Sequence, residues 1–286
     1  MTLHKALTRA TQQLDACPDL RADAGRDAAC LLRHALGISQ ATMLADPARV
    51  LTPDQQVAYE AMVLRRAANE PIQYIIGEQE FYGLALRVTP AVLIPRPETE
   101  QLVEAVLGQV KRAGLNSTMR ILDVGTGSGA IAIALAYHLP SAQIAAVDLS
   151  SAALEVAAAN AARHGLAERI RFLESDLLDA LSDGETSWDV IVSNPPYVPT
   201  ADRESLHPQV RDHEPAAALF AGADGLDIYR RLIPQARATL RPNGLLALEI
   251  GHGQKAGIAS LLSDWKELRF LDDLQQIPRI ALARRP

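Results

Sequence analysis

Cysteine is nearly missing from this chain: Cys17 and Cys30 are the two in 286 residues. They share no CxxC spacing and fall in a stretch patterned as helix. That excludes a disulfide framework or a cysteine-based zinc site, and leaves small, half-buried thiols of a reducing compartment. Aromatic residues are scarce at 4%, so the cores that a 48% hydrophobic content supplies must be built from Leu, Val, Ile and above all Ala. Runs of Lys or Arg are lacking too, and the formal net charge is −6. The electrostatic footprint of a protein that grips a nucleic-acid backbone is therefore missing. No stretch approaches the ~18 apolar residues of a membrane span; Ala130–Tyr137 is apolar but short. Met1-Thr-Leu-His-Lys-Ala6 holds no apolar signal-peptide core. A cytoplasmic monomer without membrane or direct nucleic-acid contact is the expectation.

Length allows about two domains at roughly 150 residues each. The first seventy-odd residues are patterned as helices. Leu3, Ala6, Leu7, Ala10 and Leu14 share one face at helical spacing, and Ala28, Leu31, Leu32, Ala35 and Leu36 share another, ended by Gly37. Thr52-Pro-Asp-Gln55 reads as a helix start with a capping box, leading into 57–68 and closed by Pro71. These stripes read as the core of a small all-α domain over residues 1–76. From 77 to 97 the pattern becomes strand-like, with Phe81, Leu84, Leu86, Val88 and then Val92-Leu-Ile94, punctuated by Gly83 and Pro90. A β-hairpin linker fits that stretch. From residue 98 to 286 helices alternate with apolar strands, which predicts α/β architecture on a mostly parallel sheet. Seven strands are expected near 120–124, 144–148, 170–174, 188–193, 244–250, 267–272 and 278–283.

The first candidate site follows the strand at 120–124. Asp123-Val-Gly125-Thr126-Gly127-Ser128-Gly129 is a glycine-rich turn entering an alanine-rich helix. Glycines let the backbone turn tightly and approach a ligand, and the helix start points free N–H groups at it. Asp148 closes the next strand, nineteen residues beyond Gly129, about where a nucleotide-binding βαβ unit places a ribose-binding acid. The dinucleotide fingerprint is G-x-G-x-x-G, whereas this spacing is G-x-G-x-G, with Asp123 just before it. A negative charge there is poorly placed beside a pyrophosphate. It suits a ligand carrying an ammonium group, such as the methionine moiety of S-adenosylmethionine. Asp148 would then take the ribose hydroxyls. Asp176 can accept from the adenine amino group with Leu177 against the ring, although a plain strand-end acid is nearly as good a reading of Asp176.

The second candidate is Asn194-Pro195-Pro196-Tyr197, leaving the strand at 188–193. Two prolines fix two φ angles, remove two donors and push the residues before them out of helical conformation. The loop is stiff and extended, with free carbonyls, an amide at one end and a ring at the other. The Asn194 side-chain oxygen and the Pro195 carbonyl can accept both hydrogens of a planar –NH2 group, and Tyr197 can cover its flat face. Adenine N6, cytosine N4 and glutamine N5 all qualify, so the loop alone names a class of nucleophile.

Asp-Val-Gly-Thr-Gly-Ser-Gly-Ala-Ile-Ala, the Val-Asp148 strand end, Ser175-Asp176 and Val-Ser-Asn-Pro-Pro-Tyr-Val resemble the class I S-adenosylmethionine-dependent methyltransferases that modify planar nitrogens. More narrowly, the chain is similar to the HemK-type (PrmC) release factor glutamine methyltransferases. Ile94-Pro-Arg96-Pro-Glu98-Thr-Glu100 and His213-Glu214-Pro215 through Gly225-Leu226 support the narrower match, which covers nearly the whole chain. The resemblance implies a Rossmann-like, seven-stranded domain and S-adenosylmethionine as cofactor, leaving as S-adenosylhomocysteine, with no metal. It also implies a substrate: the glutamine of the Gly-Gly-Gln motif in peptide chain release factors, with the helical domain recognising their body. Cofactor binding then falls to Asp123, Gly125, Thr126, Gly127, Ser128, Gly129, Asp148, Asp176, Leu177 and Asn194. Catalysis falls to Asn194, Pro195 and Tyr197, and substrate binding to these with Pro196. An adenine-N6 methyltransferase of DNA or RNA is the alternative, and a non-catalytic nucleotide-binding protein a third. Arg96 and Glu98 serve equally well as a helix start or as a border of the methionine end of the pocket. His213 and Glu214 read as loop packing or substrate contact, and 198–222 as a lid or peptide groove.

Overall fold

The computed structural model of the chain describes residues 1–112, 119–181 and 187–286, which fall into two units. One comprises Met1–Glu78 with Leu206–His213, the other Gln79–Ser205 with Glu214–Pro286.

The first unit is helical: α1 (Leu3–Asp15), α2 (Ala24–Leu36), α3 (Gln40–Ala45), α4 (Pro53–Ala67) and α5 (Ile72–Ile76). The expected caps are present. Thr52 and Gln55 exchange hydrogen bonds as a capping box, and Gly37 ends α2 at φ 62°. Leu3, Ala6, Ala10 and Leu14 are buried against Ala28, Leu31 and Leu32, while Leu7, Ala35 and Leu36 are only partly covered. The periodicity did not announce an ion pair inside this unit. Arg66 Nε donates to Asp27 Oδ2 at 2.7 Å, with both side chains almost wholly buried. Cys17 and Cys30 are free, half-buried thiols.

In the second unit β1 (Glu78–Phe81) and β2 (Leu84–Arg87) form a two-stranded sheet. Tyr82 and Gly83 turn between them at φ 51° and 77°, the twist that suits a two-residue hairpin. Val92-Leu-Ile94, patterned as strand, is not one. Pro90 and Pro95 bracket it, a turn bond runs from Val92 N–H to the Thr89 carbonyl, and Val92 and Ile94 are buried, Leu93 half-buried, without a ladder.

Then follow α6 (Pro97–Arg112), β3 (Arg120–Val124), α7 (Ala130–His138), β4 (Gln143–Asp148), α8 (Ser151–Arg163), β5 (Ile170–Glu174) and β6 (Trp188–Ser193). Helix α9 (Pro208–Arg211) belongs to the helical unit. The chain closes with α10 (Asp227–Thr239), β7 (Leu240–Glu249), α11 (Lys255–Leu261), β8 (Lys266–Asp272) and β9 (Pro278–Arg284). All seven strands expected from 120 onward are present, in the order β5-β4-β3-β6-β7-β9-β8, and β9 runs antiparallel to both β7 and β8. Apolar residues of α6 and α7 cover one face of the sheet, and those of α10 and α11 the other. The result is a three-layer α/β/α domain. Residues 130–136 of α7 are apolar on all sides because they are buried on all sides, while Tyr137 and His138 are exposed.

Candidate active site

The strand order reverses between β4-β3 and β6, and open α/β sheets bind ligands at such a point, beyond the carboxyl ends of the strands. Val124 of β3 and Ser193 of β6 are register partners, and Ser193 Oγ donates to the Val124 carbonyl at 2.6 Å. The glycine turn and Asn194-Pro-Pro-Tyr197 therefore leave the sheet side by side.

In the glycine turn Gly125, Gly127 and Gly129 lie at φ 72°, 56° and 83°, a region that L side chains avoid. The N–H groups of Gly125 and Thr126 donate to the Val147 carbonyl at 2.9 and 3.0 Å, folding the turn over the end of β4. A Cβ at Gly125 or Gly127 would project into open space. At Gly129 it would stand 2.9 Å from Ile133 Cδ1 and 3.1 Å from Ala157 Cβ. The first two glycines border a free surface, and the third permits tight packing at the start of α7.

Asp123 is completely buried. Its Oδ2 accepts from Thr126 Oγ1 at 2.6 Å and Ala132 N–H at 3.2 Å, while Oδ1 has no hydrogen-bond partner among the described residues. Burial pushes its pKa up to about 7, against the pull of those two hydrogen bonds and with the help of the Asp148 charge. A buried acceptor left unpaired is costly, and this one fits a ligand that brings a cation or an N–H. Asp148 Oδ2 accepts from Gly127 N–H at 2.8 Å and Oδ1 from Ser150 N–H at 2.9 Å. Each oxygen retains a lone pair for a hydroxyl. The turn, the orphaned Asp123 oxygen and Asp148 together fit an adenosyl amino acid.

Asp176 follows Ser175, whose N–H donates to the Asp148 carbonyl at 2.9 Å. It is half-exposed, and its Oδ2 is ion-paired with Arg231 of α10 at 2.7 Å, which leaves Oδ1 to accept a further hydrogen bond. Leu177 adopts φ 53° and packs, half-buried, against the apolar layer under α10.

Asn194 Nδ2 donates to Thr99 Oγ1 at 3.0 Å, and Thr99 Oγ1 donates to Glu249 Oε2 at 2.6 Å. No hydrogen bond among the described residues ends on Asn194 Oδ1 or on the Pro195 carbonyl. The Tyr197 hydroxyl donates to Glu249 Oε1 at 3.3 Å, and the Tyr197 carbonyl accepts from Gln254 Nε2 at 2.9 Å. Gly225 makes room for this anchor: a Cβ there would lie 2.2 Å from the Tyr197 carbonyl oxygen. Burial, with the Glu249 charge next, raises the Tyr197 pKa, so the phenol stays protonated. Arg96 Nη2 donates to Glu214 Oε1 at 2.5 Å, and Ile94 N–H to Glu214 Oε2 at 3.3 Å. Glu214 thus packs the loop, as does Glu100, which accepts from Tyr82 N–H at 2.8 Å. His213 Nε2 lies 3.2 Å from the Ala68 carbonyl within the helical unit. The ends of 198–222 are tied by Val198 N–H to the Leu219 carbonyl and Thr200 N–H to the Gly222 carbonyl, both at 2.8 Å.

Sequence reasoning missed Thr99, Glu249, Gln254 and Asn160. Asn160 is fully buried on α8, where Nδ2 donates to the Ser128 carbonyl at 2.9 Å and Oδ1 accepts from Arg87 N–H at 2.7 Å, bracing the glycine turn. A lone amide amid alanines was its signal. That of Glu249 was an acid ending an apolar strand, the pattern that singled out Asp148.

Residues 101–209 match the family described as methyltransferase small domain, and residues 5–77 the PrmC N-terminal domain. A 16S rRNA methyltransferase of T. thermophilus, solved with AdoMet and guanosine, superposes with TM-score 0.56 at 20% identity. That match covers 73% of this chain and 50% of the other, and at such identity the likeness is one of fold. The second unit thus has the class I methyltransferase fold. The release factor glutamine methyltransferase of Koribacter versatilis is 43% identical over 290 residues, covering 100% of this chain and 99% of its own length. That of Geobacter sulfurreducens is 46% identical over 233 residues, covering 82% and 79%. The chain belongs to the release factor glutamine methyltransferase family.

Proposed function

We propose that the protein methylates the side-chain amide N5 of the glutamine in the Gly-Gly-Gln motif of peptide chain release factors, using S-adenosylmethionine. Family membership supports the substrate, and one observation carries the chemistry: Thr99 takes the NH2 of Asn194, leaving Oδ1 free beside the free carbonyl of Pro195. An amide nitrogen is a poor nucleophile because its lone pair is delocalised into the carbonyl, as in the peptide bond. Asn194 Oδ1 and the Pro195 carbonyl accept its two hydrogens, aim the lone pair and stabilise the positive charge that grows on nitrogen. A preorganised group of this kind is worth about 3–4 kcal/mol of barrier. Tyr197 and Pro196 line the slot that holds the amide flat. When bound, S-adenosylmethionine supplies an electrophilic methyl on a sulfonium, already activated without a metal. Gly125, Thr126, Gly127, Ser128 and Gly129 cradle it, Asp148 takes its ribose, the Asp123 oxygen its ammonium group, and Asp176 and Leu177 the adenine. The N-alkylated amide is strongly acidic and releases its proton to water.

The domains divide the work: 1–76 holds the body of the release factor, 77–97 links, and 98–286 catalyses. Exposed Leu44, Val50, Val57 and Leu64 on the helical unit suit a protein partner. An acidic chain of net charge −6 suits a protein substrate better than DNA or RNA, and a cytoplasmic monomer fits both. Among the described residues no helix is long and apolar enough to cross a membrane. Asn194→Ala should slow single-turnover methylation by on the order of 100- to 1,000-fold, with cofactor affinity by calorimetry nearly unchanged. A variant that retains most of its rate would reduce Asn194 to a turn residue.

A further inference from the structure

Glu249 is a buried acid with no direct part in the reaction as drawn above. It follows Leu248, the register partner of Ser193, and so lies beside Asn194. Its Oε2 accepts the Thr99 hydroxyl at 2.6 Å, and its Oε1 the Tyr197 hydroxyl at 3.3 Å. Glu249 is 1% exposed and Thr99 4%, so water does not replace either partner.

An ionised carboxylate only accepts hydrogen bonds. It draws the Thr99 hydroxyl proton toward itself, which leaves the Thr99 lone pairs facing Asn194. The only part of Asn194 that can meet a lone pair is its NH2. The flipped amide would set Oδ1 against Thr99 Oγ1, acceptor against acceptor in a buried site. We propose that Glu249, acting through Thr99, is the positioning residue that holds Asn194 Oδ1 toward the substrate, and that protonation of Glu249 releases it. The inference rests on the reading of Asn194 Oδ1 as the acceptor for the substrate amide. A protonated Glu249 can donate to Thr99, whose own proton is then free to point at Asn194 and to attract Oδ1 in place of NH2. Facing Glu249 are Glu98 and Thr99 of α6, Tyr197 of the loop, Tyr229 of α10 and Arg279 of β9. The Tyr229 hydroxyl donates to the Glu249 main-chain carbonyl at 2.7 Å. Burial first, with the Glu98 charge, raises the carboxyl to about 7, while Thr99, Tyr197 and Arg279 pull it down. The switch therefore falls near neutrality.

The test compares wild type with Thr99→Val, Thr99→Ser, Glu249→Gln and Asn194→Ala in single-turnover methylation across pH, with cofactor affinity measured alongside. Wild type should lose rate as pH falls through about 7, and Glu249→Gln should lack that limb. Thr99→Val should turn over on the order of 100-fold more slowly at unchanged cofactor affinity, and Thr99→Ser should restore most of the rate. A wild-type rate in Thr99→Val, or an acid limb surviving in Glu249→Gln, overturns the proposal. Should Glu249→Gln fail to fold, Thr99→Val against Thr99→Ser decides it. If Asn194→Ala is inactive while the Thr99 and Glu249 variants match wild type, this inference alone falls. If Asn194→Ala is itself active, the reading beneath it falls.

Discussion

Alanine at Gly127 and alanine at Gly129 should fail in opposite ways. Both positions have positive φ, which costs an L residue about 1–2 kcal/mol. At Gly127 that is the whole folding cost, because a Cβ there meets nothing within 4 Å. At Gly129 the new methyl stands 2.9 Å from Ile133 Cδ1 and 3.1 Å from Ala157 Cβ, two buried helices pressed together. Overpacking of this sort adds about 1–3 kcal/mol, for a total of about 2–5 kcal/mol. The Gly127 methyl would instead enter the open space proposed for the cofactor. A loss of about 1.4 kcal/mol or more, tenfold in affinity, should follow there. Urea unfolding of the free protein and calorimetry with S-adenosylmethionine separate the two effects. Gly127→Ala should keep most of its stability and lose binding, while Gly129→Ala loses stability first. Equal destabilisation by both, or unchanged affinity in Gly127→Ala, would refute the assignment of the open side of the turn to the cofactor.

Asp148→Ala removes the charged acceptor proposed for the two ribose hydroxyls and should weaken S-adenosylmethionine binding by about 2–3 kcal/mol, or roughly 30- to 150-fold, by calorimetry. Asp123 and Glu249 both have folded pKa values raised to about 7, chiefly by burial. The folded state holds these protons where the unfolded chain releases them, so their contribution falls as pH rises from about 4 toward about 7. Asp123→Asn and Glu249→Gln should each flatten part of that slope relative to wild type in denaturant titrations at stepped pH; parallel slopes would contradict it. Arg66→Ala removes the buried, hydrogen-bonded partner of the Asp27 carboxylate, leaving it the exposed Arg26 at 3.7 Å, and should cost about 3–5 kcal/mol of unfolding free energy. A loss below about 1 kcal/mol, the range of exposed pairs, would show that the Arg26 pair suffices for Asp27.

Local signals made most of the architecture legible. A strand, glycine turn, helix and acid-tipped strand lie within thirty residues, so the order around Asp123 and Asp148 is written in a short window. Alternation and apolar runs located all seven strands of the large sheet, because buried parallel strands are continuous apolar segments. Val92-Leu-Ile94 misled for the same reason: Val92 and Ile94 are buried, but flanking prolines deny the segment a ladder. The interior of the site was less legible. Thr99 reaches Asn194 across 95 positions and Glu249 across 150; the register of β6 and β7 brings Asn194 and Glu249 together, and the packing of α6 brings Thr99 to both. The two acids of α6 were read as dipole partners, while the threonine between them went unread. The ion pair of Asp176 was invisible in the sequence because its partner, Arg231, lies 55 positions on in α10.

The most direct test of the account offers labelled S-adenosylmethionine and the protein four acceptors: purified release factor, its Gly-Gly-Gln glutamine replaced by alanine, DNA and RNA. Label should enter the native factor alone, at that glutamine. Label in nucleic acid, or equal label in the glutamine-to-alanine factor, would contradict the account and favour a base methyltransferase.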